Sequence, residues 1–283
     1  MISIHPDTSL GAVNLTVSAL GRSLEFYREI LGFSVLRHEA TTAELGTGQT
    51  PLVVLSERSG ARPRPSHTTG LYHFAILLPA RADLARALQR LADTRYPIEG
   101  ASDHLASEAL YLADPDGIGI EIYADRPRSA WTYRNGQLQM ATIPLDIKGL
   151  MNELKTDPRP ANGLPQATRI GHIHLHVSDL RAAEAFYRDV LGFDLMLHYG
   201  NSASFLSAGG YHHHLGLNTW AGVGAPPPPP DAAGLRWFTI AVPDRAELER
   251  ILLRAQEAGV SHEDHNDGMF LRDPSGNTML VTN

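Results

Sequence analysis

Hydrophobic and polar positions alternate over short runs of this chain, and the first such runs each lead into a stretch of helical period. In Gly11 to Val17, Val13, Leu15 and Val17 point one way, toward a helix, while Ala12, Asn14 and Thr16 point the other. An amphipathic stretch, Ser23 to Leu31, comes next, and its counterpart Arg81 to Leu91 follows the run GLYHFAILLP. Three shorter strands come after the first helix, FSVLRHE, TAELG and PLVVLSE, separated by Gly, Thr and Pro turn signals. The pattern predicts a βαβββ unit whose lead strand turns its second face toward whatever the sheet encloses.

The unit repeats. Phe26, Tyr27 and Arg28 match Phe186, Tyr187 and Arg188, and Leu31, Gly32 and Phe33 match Leu191, Gly192 and Phe193, always 160 positions apart. A weaker pair relates GLYHFAILLP (from Gly70) to GLRWFTIAVP (from Gly234), and LADPDG (from Leu112) to LRDPSG (from Leu271). The chain is therefore expected to be α+β, with four βαβββ modules in two pseudo-symmetric halves. The N-terminal half spans 1–126, with modules at 8–60 and 68–126; the C-terminal half spans 169–283, with modules at 169–222 and 233–283. Residues 127–168 read as a linker with one short helix, Leu145 to Leu154, and a Pro/Gly/Asn-rich stretch, Asp157 to Pro165. The run Pro226 to Pro230 reads as a stiff loop.

Composition narrows the chemistry. The 283 residues suffice for about two domains at roughly 150 residues each. At 43% apolar and 19% charged they are ordinary for a globular protein, and no apolar run approaches the roughly 20 residues of a membrane helix. Met1 to Leu10 shows no secretory signal, so a soluble, cytoplasmic protein is expected. Cysteine is absent, which excludes disulfides, thiolate nucleophiles and Cys-held metals. With 24 Lys+Arg against 31 Asp+Glu and no basic stripe, nucleic acid is not an expected partner.

Histidine, at 14 residues, is the one functional group in unusual supply. His73 and His172 occupy early positions of the lead strands in the second and third modules, and Glu121 sits inside the apolar run IGIEIY. Burying a carboxylate in such a strand costs several kcal/mol unless a cation compensates it.

Four βαβββ units with FY…LGF after the first strand and DPDG…IE before the last resemble the vicinal oxygen chelate superfamily (glyoxalase, bleomycin resistance protein, extradiol dioxygenase) over nearly the whole chain. Within it the sequence resembles two-domain extradiol dioxygenases of the bacterial catechol 2,3-dioxygenase type. The resemblance implies modules that pair into barrel-like curved sheets, with metal ligands at the first-strand and last-strand positions of two modules. The first-strand positions read Ala12, His73, His172 and Trp237. The last-strand positions read Glu121 in the second module and Leu280 in the fourth, with Leu215 aligned for the third. His73, His172 and Glu121 would form the two-His, one-carboxylate face that leaves positions open on a non-haem Fe(II), or on Mn(II) in its place.

The same resemblance implies further roles. Tyr111 and, before it, His104 would hydrogen-bond the substrate, and His213 would be the acid–base residue. In YHHHLGLNTW, alternation puts His213 with Leu215 on one face, and a slip of one residue would exchange His213 for His212 or His214. His174 and His176, on the His172 face, read as pocket or core polar residues. The implied reaction is meta cleavage of an aromatic diol by O2, catechol giving a 2-hydroxymuconic semialdehyde, in an enzyme of aromatic degradation that is a homo-oligomer.

Counting ligands constrains the topology. A site within one chain requires the second module to pair with the third, and hence the first with the fourth; a site shared between subunits would also satisfy the count. Familiar catechol dioxygenases carry these residues in their last two modules, in the order His, His, His, His, Tyr, Glu, and this chain departs from that order. The alternative readings are a glyoxalase-like isomerase or lyase, which adds a fourth protein ligand that Leu215 does not supply, and a metal-free binding protein on the same scaffold.

Overall fold

The FY…LGF motif closes its helix in the same way in both halves. The computed structural model describes residues 3–134, 137–157, 159, 162–266 and 268–283. In the first module, strand β1 (Ser9–Val17) leads into helix α1 (Leu20–Glu25), which widens into a π-helical turn over Phe26–Ile30. Gly32 then adopts φ +91, and the Phe33 N–H donates to the Tyr27 carbonyl. Gly192 repeats this at φ +92, with the Phe193 N–H on the Tyr187 carbonyl. Only glycine takes this left-handed backbone at no steric cost, so both copies keep it where the chain leaves the helix for the next strand.

The module is completed by β2 (Ser34–His38), β3 (Thr42–Gly46) and β4 (Pro51–Glu57). The second contains β5 (Gly70–Leu78), α2 (Arg81–Asp93), β6 (Gly100–Asp103), β7 (Ser107–Ala113) and β8 (Gly119–Asp125). The connecting segment holds β9 (Tyr133–Arg134), β10 (Gln137–Leu138), β11 (Ile143–Pro144) and α3 (Ile147–Thr156). Helix α3 starts two residues later than its apolar pattern suggests, because the Asp146 carboxylate accepts the Gly149 N–H and caps it. Within the stretch Asp157 to Pro165, positions 158, 160 and 161 lie outside the described residues.

The third module comprises β12 (Arg169–His176), α4 (Leu180–Ala185) with a π turn over Phe186–Val190, β13 (Asp194–Tyr199), β14 (Ala203–Ser207) and β15 (Leu215–Asn218). The fourth comprises β16 (Gly234–Ala241), α5 (Arg245–Glu257), β17 (His262–His265), β18 (Gly268–Arg272) and β19 (Thr278–Thr282).

Lead strands pair across the two halves. One sheet runs β17-β18-β19-β16-β1-β4-β3-β2, so the first module joins the fourth through antiparallel β1 and β16. The other runs β11-β6-β7-β8-β5-β12-β15-β14-β13, joining the second module to the third through antiparallel β5 and β12. This is the pairing that a one-chain site demands. Within each half the motifs tie the two modules, which belong to different sheets: Tyr27 of the first donates to Asp114 of the second, and Tyr187 of the third donates to Asp273 of the fourth, each at 3.2 Å. Asp114 also accepts the Asp116 and Ile118 N–H groups and so holds the DPDG turn.

The helix-facing side of both sheets is apolar and fully buried, with Val13, Leu15 and Val17 on β1, Phe74, Ile76 and Leu78 on β5, and Ile173 and Leu175 on β12. The opposite face of the second sheet carries the polar residues: His73, Glu121, Tyr111, His172 and His174. The same face in the first sheet presents Ala12, Trp237 and Leu280, none of which ligates a metal. Arg81 of α2 bonds Glu108 on β7 and the Gly149 carbonyl and Glu153 on α3, which anchors α3 on the helix-bearing side of the second sheet, while Met140, Ala141 and Thr142 of the same connecting segment line the cavity on the other side.

Candidate metal centre and its cavity

Register brings the three candidate ligands together. Glu121 stands beside Ala75 on parallel β5 and beside Tyr111 on antiparallel β7. His73 pairs with His174 and His172 with Ala75, and the ladder is bulged between Ile170 and His172 and again between His174 and Leu175. The result is a triangle of atoms. His73 Nε2 lies 3.3 Å from His172 Nε2, His172 Nε2 lies 3.0 Å from Glu121 Oε2, and His73 Nε2 lies 3.1 Å from the same oxygen. His73, Glu121 and His172 are 7%, 3% and 1% exposed, so water does not solvate the carboxylate.

This donor set fits a divalent ion. Two ligands held at about 2.1 Å and at right angles on one ion stand about 3.0 Å apart, which is the edge length of the triangle. Two imidazole nitrogens and a carboxylate oxygen converging at this spacing repel one another unless a cation or protons lie among them. Burial works against the charged form of Glu121, yet the adjoining His172 and His73 hold it well below the usual carboxylate range. Burial lowers the His172 pKa, which keeps its ring in the neutral form that a metal takes.

The other candidates surround the triangle. The Tyr111 phenol sits beside Glu121, and burial followed by the Glu121 charge pushes its pKa well up, so it remains protonated. His104 meets Tyr111 at 2.6 Å through Nε2, while its Nδ1 meets the Ala141 carbonyl at 2.8 Å. A carbonyl only accepts, so His104 carries its proton on Nδ1 and Tyr111 donates to Nε2. The linker thus sets the tautomer of His104, through a backbone atom that no side-chain motif announces.

His213 also reaches the cavity, its ring 4.2 Å from that of His172. It does so from the turn before β15, which begins only at Leu215, and not by strand alternation. The alignment of Leu215 with the last-strand ligand position is corrected by the register. Leu215 pairs with Ile173 and is buried in the apolar core, whereas Gly216 pairs with His174 and occupies the place equivalent to Glu121. Glycine supplies no ligand at this place, and a Cβ there would stand 2.8 Å from the His174 ring and have to displace it.

His174 lines the cavity and is held neutral by burial and by the neighbouring His73 and His172. His176 is buried on Asn218 at 2.7 Å. Behind His213 lies a chain of which only His212 has a place in the sequence reading. His212 Nε2 donates to Asp125 Oδ1 at 2.9 Å, and His212 Nδ1 faces His213 Nδ1 at 2.8 Å. Tyr211 donates to the second Asp125 oxygen at 2.9 Å and accepts from Tyr123 at 2.7 Å. Asp125 shares the Glu121 face of β8, four residues on, so the period of two that marks Glu121 also marks Asp125.

The fold and the centre define a known class. The family model of the Glyoxalase/Bleomycin resistance protein/Dioxygenase superfamily matches residues 9–122 and 169–281, and the chain belongs to that superfamily. A catechol-2,3-dioxygenase of Bacillus subtilis (strain 168) is 50% identical over 278 residues, which cover 97% of this chain and 96% of that relative. Among solved structures, a candidate dioxygenase from Bacillus subtilis superposes with a TM-score of 0.68 at 13% identity, covering 100% of this chain and 86% of that one. Glyoxalase I from Zea mays does so with a TM-score of 0.58 at 17% identity, covering 98% and 92%. At these identities the two structures speak for the fold.

Proposed function

We propose that this protein is an extradiol dioxygenase that inserts both atoms of O2 into a catechol, breaks the ring bond beside the diol, and yields a 2-hydroxymuconic semialdehyde. The observation that carries this reading is the buried His73–Glu121–His172 triangle opening on a cavity that His213, Tyr111 and His104 also line. Nearly full-length identity of 50% to a catechol-2,3-dioxygenase supports it.

His73, His172 and Glu121 would hold Fe(II), with Mn(II) the alternative ion that an N/O set accepts. The ion, when bound, supplies a common point of attachment and an electron path for the catechol and O2, which otherwise react slowly. The chain does the rest. With neutral rings, His212 donates from Nε2 to Asp125 and accepts the His213 Nδ1 proton, which leaves Nε2 as the basic atom of His213. Burial holds the His213 pKa well below its ordinary value, so the ring is free to take a catechol proton and return it later in the cycle. Because Tyr111 spends its proton on His104, its oxygen lone pairs remain for the second catechol hydroxyl. Gly216 in place of a fourth ligand leaves that side of the centre to outside oxygens, unlike a four-ligand isomerase site.

Reconstitution with Fe(II) without air, followed by catechol and O2, is expected to give oxygen uptake and the yellow ring-fission product. His172→Ala is expected to lose divalent-metal binding. Full metal content and turnover in that variant would remove the ligand assignment, and an inert reconstituted wild type would remove the activity.

A further inference from the structure

The cavity is much larger than the ring it would cleave. Its volume is 510 Å³, whereas about 150 Å³ already accommodates a benzene ring. The surplus is not lined at random. An aromatic wall runs outward from the triangle, His73 to His174 at 5.0 Å between centroids and His174 to Trp220 at 5.3 Å. Tyr72 packs edge-on against both, 5.1 Å from His174 and 5.2 Å from Trp220. Trp220 is oriented by its Nε1–H, which donates to Ser202 at 3.1 Å. Tyr72 and Trp220 remain 41% and 46% exposed, so a large apolar surface is kept open where the wall reaches the mouth.

Charge sharpens the selection. Among the described residues, no Lys or Arg lines the cavity, and its acids are Glu99 and Glu121. A carboxylate on a substituent seated against the wall, away from the triangle, would find no Lys or Arg to pair with, and burying an unpaired ion costs several kcal/mol.

We propose that the enzyme prefers catechols bearing an uncharged, bulky apolar substituent, aryl or branched alkyl, seated against the Tyr72–His174–Trp220 wall, and discriminates against catechols bearing a carboxylate. The proposal rests on the extradiol reading and deepens it. Unsubstituted catechol reports that reading alone, and the substituent series reports the wall.

The test compares kcat/KM of the Fe(II) enzyme for catechol, 4-tert-butylcatechol, 2,3-dihydroxybiphenyl and 3,4-dihydroxyphenylacetate, with isothermal titration of the same compounds into protein without iron. At least one apolar-substituted catechol is expected to exceed catechol by about tenfold, and the carboxylate to fall below catechol by about as much. Trp220→Ala is expected to cut the apolar-to-plain ratio by about tenfold, in turnover and in binding alike. Equal or better use of the dihydroxyphenylacetate, or a ratio indifferent to Trp220→Ala, overturns the proposal. If no catechol is turned over, the extradiol reading fails while the binding series still decides the preference.

Discussion

At the scale of single residues, the centre depends on a few atoms whose protons are assigned by their neighbours. Asp125 is the clearest case, since it lies outside the cavity lining and holds His212, which in turn meets His213. Asp125→Ala is expected to lower kcat by about 10- to 100-fold with little change in KM or metal content. Metal analysis beside steady-state kinetics checks this, and equal loss of metal would make Asp125 merely structural. His214 gives a separate prediction, on stability. Burial lowers its pKa to about 3 in the folded chain, against about 6.5 when unfolded. The unfolded imidazole therefore takes a proton that the folded one refuses. The stability is complete above about pH 6.5 and declines as pH falls from there toward 3, by up to about 1.4 kcal/mol per pH unit. His214→Asn, whose Oδ1 replaces the Nδ1 that accepts the Ala208 N–H at 3.1 Å, is expected to flatten this decline between pH 6 and 4 in denaturant titrations. His73, His172 and Glu121 were legible as chemistry because each is a polar residue in an apolar strand; Asp125 ends its strand, where an acid is unremarkable.

At the scale of elements, alternation read the long strands well and failed where a strand is short. The strands TAELG and PLVVLSE fall at 42–46 and 51–57 as their patterns indicate. In YHHHLGLNTW the ladder covers only Leu215–Asn218, so the three preceding histidines are placed by a turn, and period-two reasoning does not apply to them. The register error at Leu215 has the same origin, because a shift of one residue exchanges core and cavity faces. Gly216→Ala tests the corrected register. Its Cβ would press on the His174 ring, and the expected cost is about 1–3 kcal/mol in thermal or denaturant unfolding. An unchanged midpoint would mean that the ring has room to move.

At the scale of the molecule, the pairing of the second module with the third makes the site a property of the whole chain. Residues 1–126 carry His73 and Glu121 but not His172, and residues 169–283 carry His172 alone. Expressed singly, neither half is expected to bind a divalent ion at the wild-type stoichiometry, whereas co-expressed halves are expected to pair β5 with β12 and recover it. Metal analysis of each half and of the co-purified pair decides this. The sequence by itself determined the module, its fourfold recurrence and the faces of its long strands, and with the family resemblance it marked His73, His172 and Glu121 as candidate ligands, because side-chain periodicity and the cost of a buried carboxylate are local properties. Only the tertiary structure decided which lead strands join, that the linker carbonyl of Ala141 orients His104, and that Asp125 and His212 back His213. Backbone ladders offer nearly the same donors and acceptors on every strand, so the choice among partners falls to the packing of the complete sheets, which no local stretch of sequence contains.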